Sequence, residues 1–174
     1  MSLEKVKRGL PPIAHRDARL LILGSLPGDA SLAARRYYAH PTNQFWRLLG
    51  VAIGEPLADL AYDERLARLA ARAIALWDVI ASASRHGSLD QAIRAAGANP
   101  VKQLLQDLPG LQAIAFNGAT AAAIGRRLVA PVAGELVLLD LPSSSAANTR
   151  PFAEKVQAWA RLADWCAPPQ IARP

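Results

Sequence analysis

The ten residues from Tyr37 to Trp46, YYAHPTNQFW, gather two tyrosines, a histidine, a proline and an uncharged amide just behind the motif GSLPG. None of them is a familiar nucleophile. Asn43 is neutral near pH 7 and is no general base, yet its carbonyl oxygen can orient a water and its amide can donate to a carbonyl. A capping or helix-surface role is equally open to it. Tyr38 offers a flat ring that either stacks on a planar heterocycle or packs into a core. His40, ahead of Pro41, suits a loop contact, a cap or a proton-sensitive group. In Gly24-Ser25-Leu26-Pro27-Gly28 the two glycines and the proline make a tight turn, which serves the chain alone or brings N–H groups to an anion or a base edge. The glycine spacing fits neither a dinucleotide fingerprint nor a Walker A loop, whose lysine is missing.

Other clusters narrow the chemistry further. Ser143, Ser144 and Ser145 in LPSSSAAN lack a G-x-S-x-G elbow, so a helix cap or a phosphate contact suits these hydroxyls better than nucleophilic attack. Asp78, after Trp77, reads as a polar group at a strand end or as a cap of the adjoining loop. Cys166 is the single cysteine, which excludes an internal disulfide, a cysteine-based zinc site and a cluster held by several cysteines. It is read as a buried small hydrophobe. His15, His40 and His86 are too scattered for a metal motif, and neither a metal nor a cofactor is expected.

Four apolar runs must position these groups: Arg19 to Ser25, Ala73 to Val79, Leu111 to Asn117 and Glu135 to Leu141. They lack polar alternation, as strands covered on both faces should, and the intervals between them have room for helical crossovers. The expected fold is therefore α/β, a single-domain three-layer α/β/α sandwich around a mainly parallel four-stranded sheet. Its C-terminal strand ends would all feed polar loops, GSLPGDAS, LWDVIASASRHGS, FNGAT and LPSSSAANTR, the usual place for a ligand crevice. Helices are expected to open at Pro41 and end at Gly50, to run over Pro56 to Ala70, and to start at Ser88, through a capping box with Gln91, and at Asn99-Pro100. A last helix over Pro151 to Trp165 puts Phe152, Val156, Trp159 and Leu162 on one apolar face.

At 174 residues, 52% hydrophobic and 20% charged, one well-buried core is expected rather than two. The division is a basic arm over residues 1–18, a domain over 19–166 and an irregular tail over 167–174. No run has transmembrane length and the opening lacks a signal peptide's apolar stretch, so a soluble cytoplasmic protein without a membrane partner is expected. Twenty Lys+Arg against 14 Asp+Glu give a formal charge of +6, which favours a polyanion without identifying one.

Taken together and in order, GSLPGDAS, YYAHPTNQFW, LWDV, FNG and LPSSSAAN resemble the uracil-DNA glycosylase superfamily, and most closely its hypoxanthine, or deoxyinosine, branch, with a relationship to mismatch-specific glycosylases. The resemblance runs over roughly residues 19 to 165. It implies a monofunctional glycosylase that hydrolyses the N-glycosidic bond of uracil, hypoxanthine or both in DNA, in base excision repair, with no iron–sulfur cluster. Leu26 stands where the first family motif often carries a catalytic asparagine or aspartate, so the resemblance assigns water positioning to Asn43. Gly24, Ser25, Leu26, Pro27, Gly28, Tyr38, His40 and Asn117 would bind the base, with Tyr38 stacking on it, and Ser31, Ser143, Ser144, Ser145 and Asn148 would approach the DNA. Leu141 replaces the polar residue of the second motif. The alternative on the same scaffold is a protein that binds a damaged base or abasic site with little turnover. Expected partners are DNA with deaminated bases and the proteins that process abasic sites; the chain is expected to be a monomer, associated with the nucleoid in a bacterium.

Overall fold

A computed structural model describes residues 6–169. The five residues of β2 (Leu20–Gly24), β3 (Ile74–Asp78) and β6 (Ala113–Asn117) are all buried. With β7 (Val137–Leu141) they form a parallel sheet of order β3-β2-β6-β7. Strands without polar alternation sit where both faces are covered, and only the edge strand β7 keeps partly exposed residues. The register aligns Gly24 with Asp78, Leu23 with Phe116, and Asn117 with Leu141. The strands therefore end in step, and Asp78, Gly24, Asn117 and Leu141 lie along one edge.

The chain is an α/β fold with mixed sheets. A second, antiparallel sheet pairs β1 (Val6–Arg8), β4 (Ile80–Arg85) and β5 (Ile93–Ala98) in the order β1-β4-β5. Its small and polar strands are interrupted by register shifts at Ile80/Ser82 and Ser82/Ser84, which destroys the period-two pattern a strand needs to be visible in sequence. From Val6 on, the segment expected as an arm is tied down here. Residues 6–8 pair with β4, Ile13 exchanges backbone hydrogen bonds with Leu76, and Lys7 bonds Asp29 and the Gly87 carbonyl. Residues 1–5 of the expected arm and 170–174 of the expected tail lie outside the described residues.

Several helix expectations change. The helix expected from Pro41 is α2 (Phe45–Ile53), ended by Gly54 at φ 70°. Gly50 lies within it, where a Cβ would stand 2.6 Å from the Glu55 carbonyl. The Pro56 to Ala70 stretch splits into a 3₁₀ turn, Leu57–Asp59, and α3 (Tyr62–Ala71), whose start is held by Glu64 accepting the Ala61 N–H at 3.0 Å. Ser88 and Gln91 form no capping box; the chain makes a 3₁₀ turn at Asp90–Ala92 and enters β5, while Ser88 Oγ accepts the Asp29 N–H at the start of α1 (Asp29–Ala34). The Asn99 side chain donates to the Asp78 and Ile80 carbonyls instead of capping α4 (Val101–Gln106). After β6 come α5 (Ala119–Val129) and, past β7, α6 (Phe152–Trp159), which tightens into a 3₁₀ stretch, Ala160–Trp165. The core is continuous from the β2 leucines through Phe45, Phe116 and Trp159. No helix of the described residues is long and apolar enough to cross a membrane.

Candidate active site

A continuous hydrogen-bonded chain joins the loops at the strand ends. Asn43 Oδ1 accepts the Phe45 N–H at 2.9 Å and the Ser144 hydroxyl at 2.9 Å, across 101 residues of sequence. Asn117 Oδ1 accepts the Ser144 N–H at 2.9 Å, and its Nδ2 donates to Ser144 Oγ at 2.9 Å and to the Tyr38 hydroxyl at 3.2 Å. The backbone N–H groups of Phe45 and Ser144 dictate which end of each amide is oxygen, and the single Ser144 hydroxyl proton is directed to Asn43. Ser144 is 1% exposed. A second link, the Gln44 N–H to the Ser144 carbonyl at 2.9 Å, locks the two loops together.

Each member is positioned by its element. Asn117 ends β6, and Gly118, at φ 99°, turns the chain into α5 with only 3.1 Å between a built Cβ and Ser143 Cβ. Only glycine combines that φ with so close a neighbour. Tyr38 sits at φ 53°, a left-handed conformation that costs a bulky residue about 1–3 kcal/mol. Its ring stacks on Phe45 with centroids 3.7 Å apart and planes 8° apart, and Phe45 in turn meets Trp159 edge-on. Burial, and secondarily Asp78, pushes the Tyr38 phenol far above its ordinary range.

Beside this chain lies a buried titratable group, Asp78, which the sequence offered only as a polar group at a strand end or a loop cap. A Cβ on Gly24 would stand 2.5 Å from Asp78 Oδ1 and 2.9 Å from the Tyr38 hydroxyl, so glycine is what lets both groups crowd the end of β2. Asp78 is 4% exposed and its Oδ2 has no partner; the only other buried side-chain atom so placed among the described residues is Nε of Arg85, itself 3% exposed. Arg85 donates to the Leu26 and Pro27 carbonyls, and Asp90, 3.9 Å from Arg85, accepts the Ser25 hydroxyl at 2.7 Å. The antiparallel sheet thus holds the GSLPG loop. Burial first, and the Asp90 charge second, push the Asp78 carboxyl up to about 7, with Arg85 opposing.

Of the expected site residues, Gly24, Tyr38, Asn43, Asn117 and Ser144 come together. Asn43's carbonyl oxygen, expected to be available for water, is committed to two donors, and its Nδ2 makes no hydrogen bond among the described residues. Ser25 faces Asp90, Pro27 offers its carbonyl to Arg85, and Leu26 is core. Gly28 precedes α1, where a Cβ would meet Ser88 Oγ at 3.3 Å. His40 is exposed, and its Nδ1 accepts the Thr42 N–H at 3.2 Å. Ser31, expected at the DNA, is buried and its Oγ accepts the Ala39 N–H, holding the turn that carries Tyr38. Ser144 is likewise internal. Ser143, Ser145 and Asn148 fold their own loop: Ser143 Oγ accepts the Ser145 N–H, Ser145 Oγ accepts the Ala147 N–H, and Asn148 Nδ2 donates to the Ser143 carbonyl.

Lys155 was also missed. It is 0% exposed, and its Nζ donates to Gln44 Oε1 and the Asn148 carbonyl at 2.9 Å each and to the Ser145 carbonyl at 3.4 Å. A cation between Phe152, Val156 and Trp159 on an apolar helix face was the available signal. A cleft of about 500 Å³ beside His15, Arg16, Asp107 and Leu108 lies near the starts of β2 and β6, at the opposite end of the strands, and contains none of these groups.

The family described as the uracil DNA glycosylase superfamily matches residues 11–163. The chain is similar to the hypoxanthine DNA glycosylase of Methanosarcina acetivorans, 41% identical over 154 residues that cover 88% of this chain and 96% of the relative. It is 40% identical to the hypoxanthine DNA glycosylase of Methanosarcina barkeri over the same shares. The solution structure of a candidate uracil DNA glycosylase from Methanosarcina acetivorans superposes with a TM-score of 0.81 at 39% identity, covering 91% of this chain and 96% of that one.

Proposed function

The chain belongs to the uracil DNA glycosylase superfamily, in its hypoxanthine-DNA glycosylase branch, and on that premise we propose that it is a monofunctional glycosylase releasing hypoxanthine, uracil or both from DNA and leaving an abasic site. The observation that carries this reading is the Tyr38–Asn117–Ser144–Asn43 chain, which fixes a neutral amide and an aromatic ring at the strand ends. The damaged nucleotide rotates out of the stack and its base lies on Tyr38, whose other face is already covered by Phe45. A base in that position is held by stacking rather than by a charge.

With its oxygen committed, Asn43 works through its N–H2 group, which donates to the attacking water or to an oxygen of the base. Water held in this way keeps a lone pair for C1′ as the glycosidic bond lengthens. Leu26 and Leu141, both buried, supply no polar contact at the two family motifs, so the catalytic polarity rests on other loops. The mechanism requires no metal ion.

Single-turnover release from DNA containing hypoxanthine or uracil tests the reading. Asn43→Ala is expected to slow release at least about 100-fold while DNA affinity stays within a few-fold, the pattern of a contact that acts in the transition state. Equal release by wild type and N43A removes Asn43 from the chemistry. Tight binding of damaged DNA with no release by the wild type establishes instead the lesion-binding alternative.

A further inference from the structure

Among the described residues, few polar functions at the site remain free. Asn117 has used its oxygen and both amide protons, Ser144 its hydroxyl proton, and Asn43 its oxygen. What is left is the Asn43 amide group, the Tyr38 hydroxyl proton and the Asp78 carboxyl. Asp78 is the one of these with a buried, unpartnered oxygen. It stands against Gly24, whose missing Cβ leaves the carboxyl and the Tyr38 hydroxyl side by side. The carboxyl therefore lies near the hydroxyl end of the Tyr38 ring, on which the base is proposed to stack.

We propose that Asp78 is a further catalytic residue, a neutral carboxylic acid that gives its proton to the base as the glycosidic bond breaks. This rests on the base-release reading above. The bond between C1′ and the base nitrogen breaks, and its electron pair leaves with the base. The proton of the Asp78 carboxyl passes to an oxygen or nitrogen of that base, so a neutral base departs. Water forms the new bond to C1′ and gives its surplus proton to solvent, from which the Asp78 carboxylate is reprotonated.

The surroundings keep the acid form available. Asp78 is faced by Asp90 from the 3₁₀ turn, by Arg85 from β4, and by Tyr37 and Tyr38 from the turn before α2. Burial and the Asp90 charge favour the proton, and Arg85, tied to the Leu26 and Pro27 carbonyls, opposes them only in part. The Tyr38 phenol is held far above its ordinary range, so it gives up no proton near neutrality. An acid poised near the working pH is the efficient donor for a poor leaving group.

The test is the pH dependence of single-turnover release from hypoxanthine-containing DNA between pH 5.5 and 8, for wild type, Asp78→Asn and Asp78→Leu, beside a carbon-13 NMR titration of the Asp78 carboxyl. The wild-type rate is expected to fall as pH rises through about 7, approaching about tenfold per unit. D78N, which hydrogen-bonds but transfers no proton, is expected to lack that limb and to run slower at pH 6. D78L is expected to lose about 10²–10⁴-fold. A D78N profile that keeps the wild-type limb, or an Asp78 carboxyl that titrates near 4 as an exposed one does, overturns the assignment even if D78L does not fold. Absence of release from the wild type overturns the glycosylase reading and this role with it, whereas release with D78N unchanged overturns this role alone.

Discussion

At the scale of single residues, the site is decided by which lone pairs and protons are already in use. Asn43 and Asn117 are the same side chain in composition, yet Asn117 has both amide protons and its oxygen engaged while Asn43 keeps its N–H2 group. Asp78 differs from both because it titrates. Its carboxyl is raised in the folded protein to about 7 from the unfolded value of about 4, so the native state holds a proton that the unfolded chain gives up between those values. The stabilisation from that proton is complete below about pH 4 and is lost as pH rises through about 7. Asn does not titrate, so Asp78→Asn should gain stability relative to wild type across that window. The gain should be on the order of a few kcal/mol at pH 8 and small at pH 4. Urea midpoints at the two pH values measure it, and a difference independent of pH would show that the buried carboxyl carries no raised titration.

At the scale of elements, two supports hold the loops in register. Arg85 of the antiparallel sheet and Asp90 of the 3₁₀ turn between its strands clamp GSLPG. Lys155 on α6 clamps LPSSSAAN to the start of α2, through Gln44 on one side and the Ser145 and Asn148 carbonyls on the other. Lys155→Met removes the desolvation cost of a buried ammonium but leaves the Gln44 and Asn148 oxygens without their donor, a loss of about 1–3 kcal/mol for an acceptor that stays buried. The expected result is modest destabilisation, amide exchange at Ser144 and Gln44 at least about tenfold faster, and slower base release. Unchanged exchange at both amides would remove Lys155 from the support of the site.

At the scale of the molecule, the +6 formal charge favours approach to a phosphate backbone, and Arg35, Arg36, Arg47 and Arg150 are exposed. Arg150 is the one in the loop that carries Ser144. Its backbone N–H is held by Asn148 Oδ1 at 3.1 Å, so the loop fixes where its side chain leaves the surface. Arg150→Ala should weaken binding of damaged and undamaged DNA about equally and reduce the slope of log affinity against log salt by about 1, as loss of one phosphate contact does. Titrations at several salt concentrations measure both effects; an unaltered slope places Arg150 away from the backbone.

The parallel sheet, the convergence of four loops at one edge and the placement of Tyr38 and Asn43 beside those loops were legible in the sequence because continuous apolar runs, turn residues and an ordered set of motifs are local signals. The family membership carried by those motifs is borne out by its relatives. The antiparallel sheet was not legible, because its strands are small, polar and broken by register shifts. Nor did the sequence tell that Ser31 and Ser144 face inward, that Asn43's oxygen is taken, or that Asp78, Arg85 and Lys155 are buried. Those properties depend on partners up to 111 residues away. A polar side chain acts according to what it already bonds and how much water reaches it, and only the tertiary structure decides either.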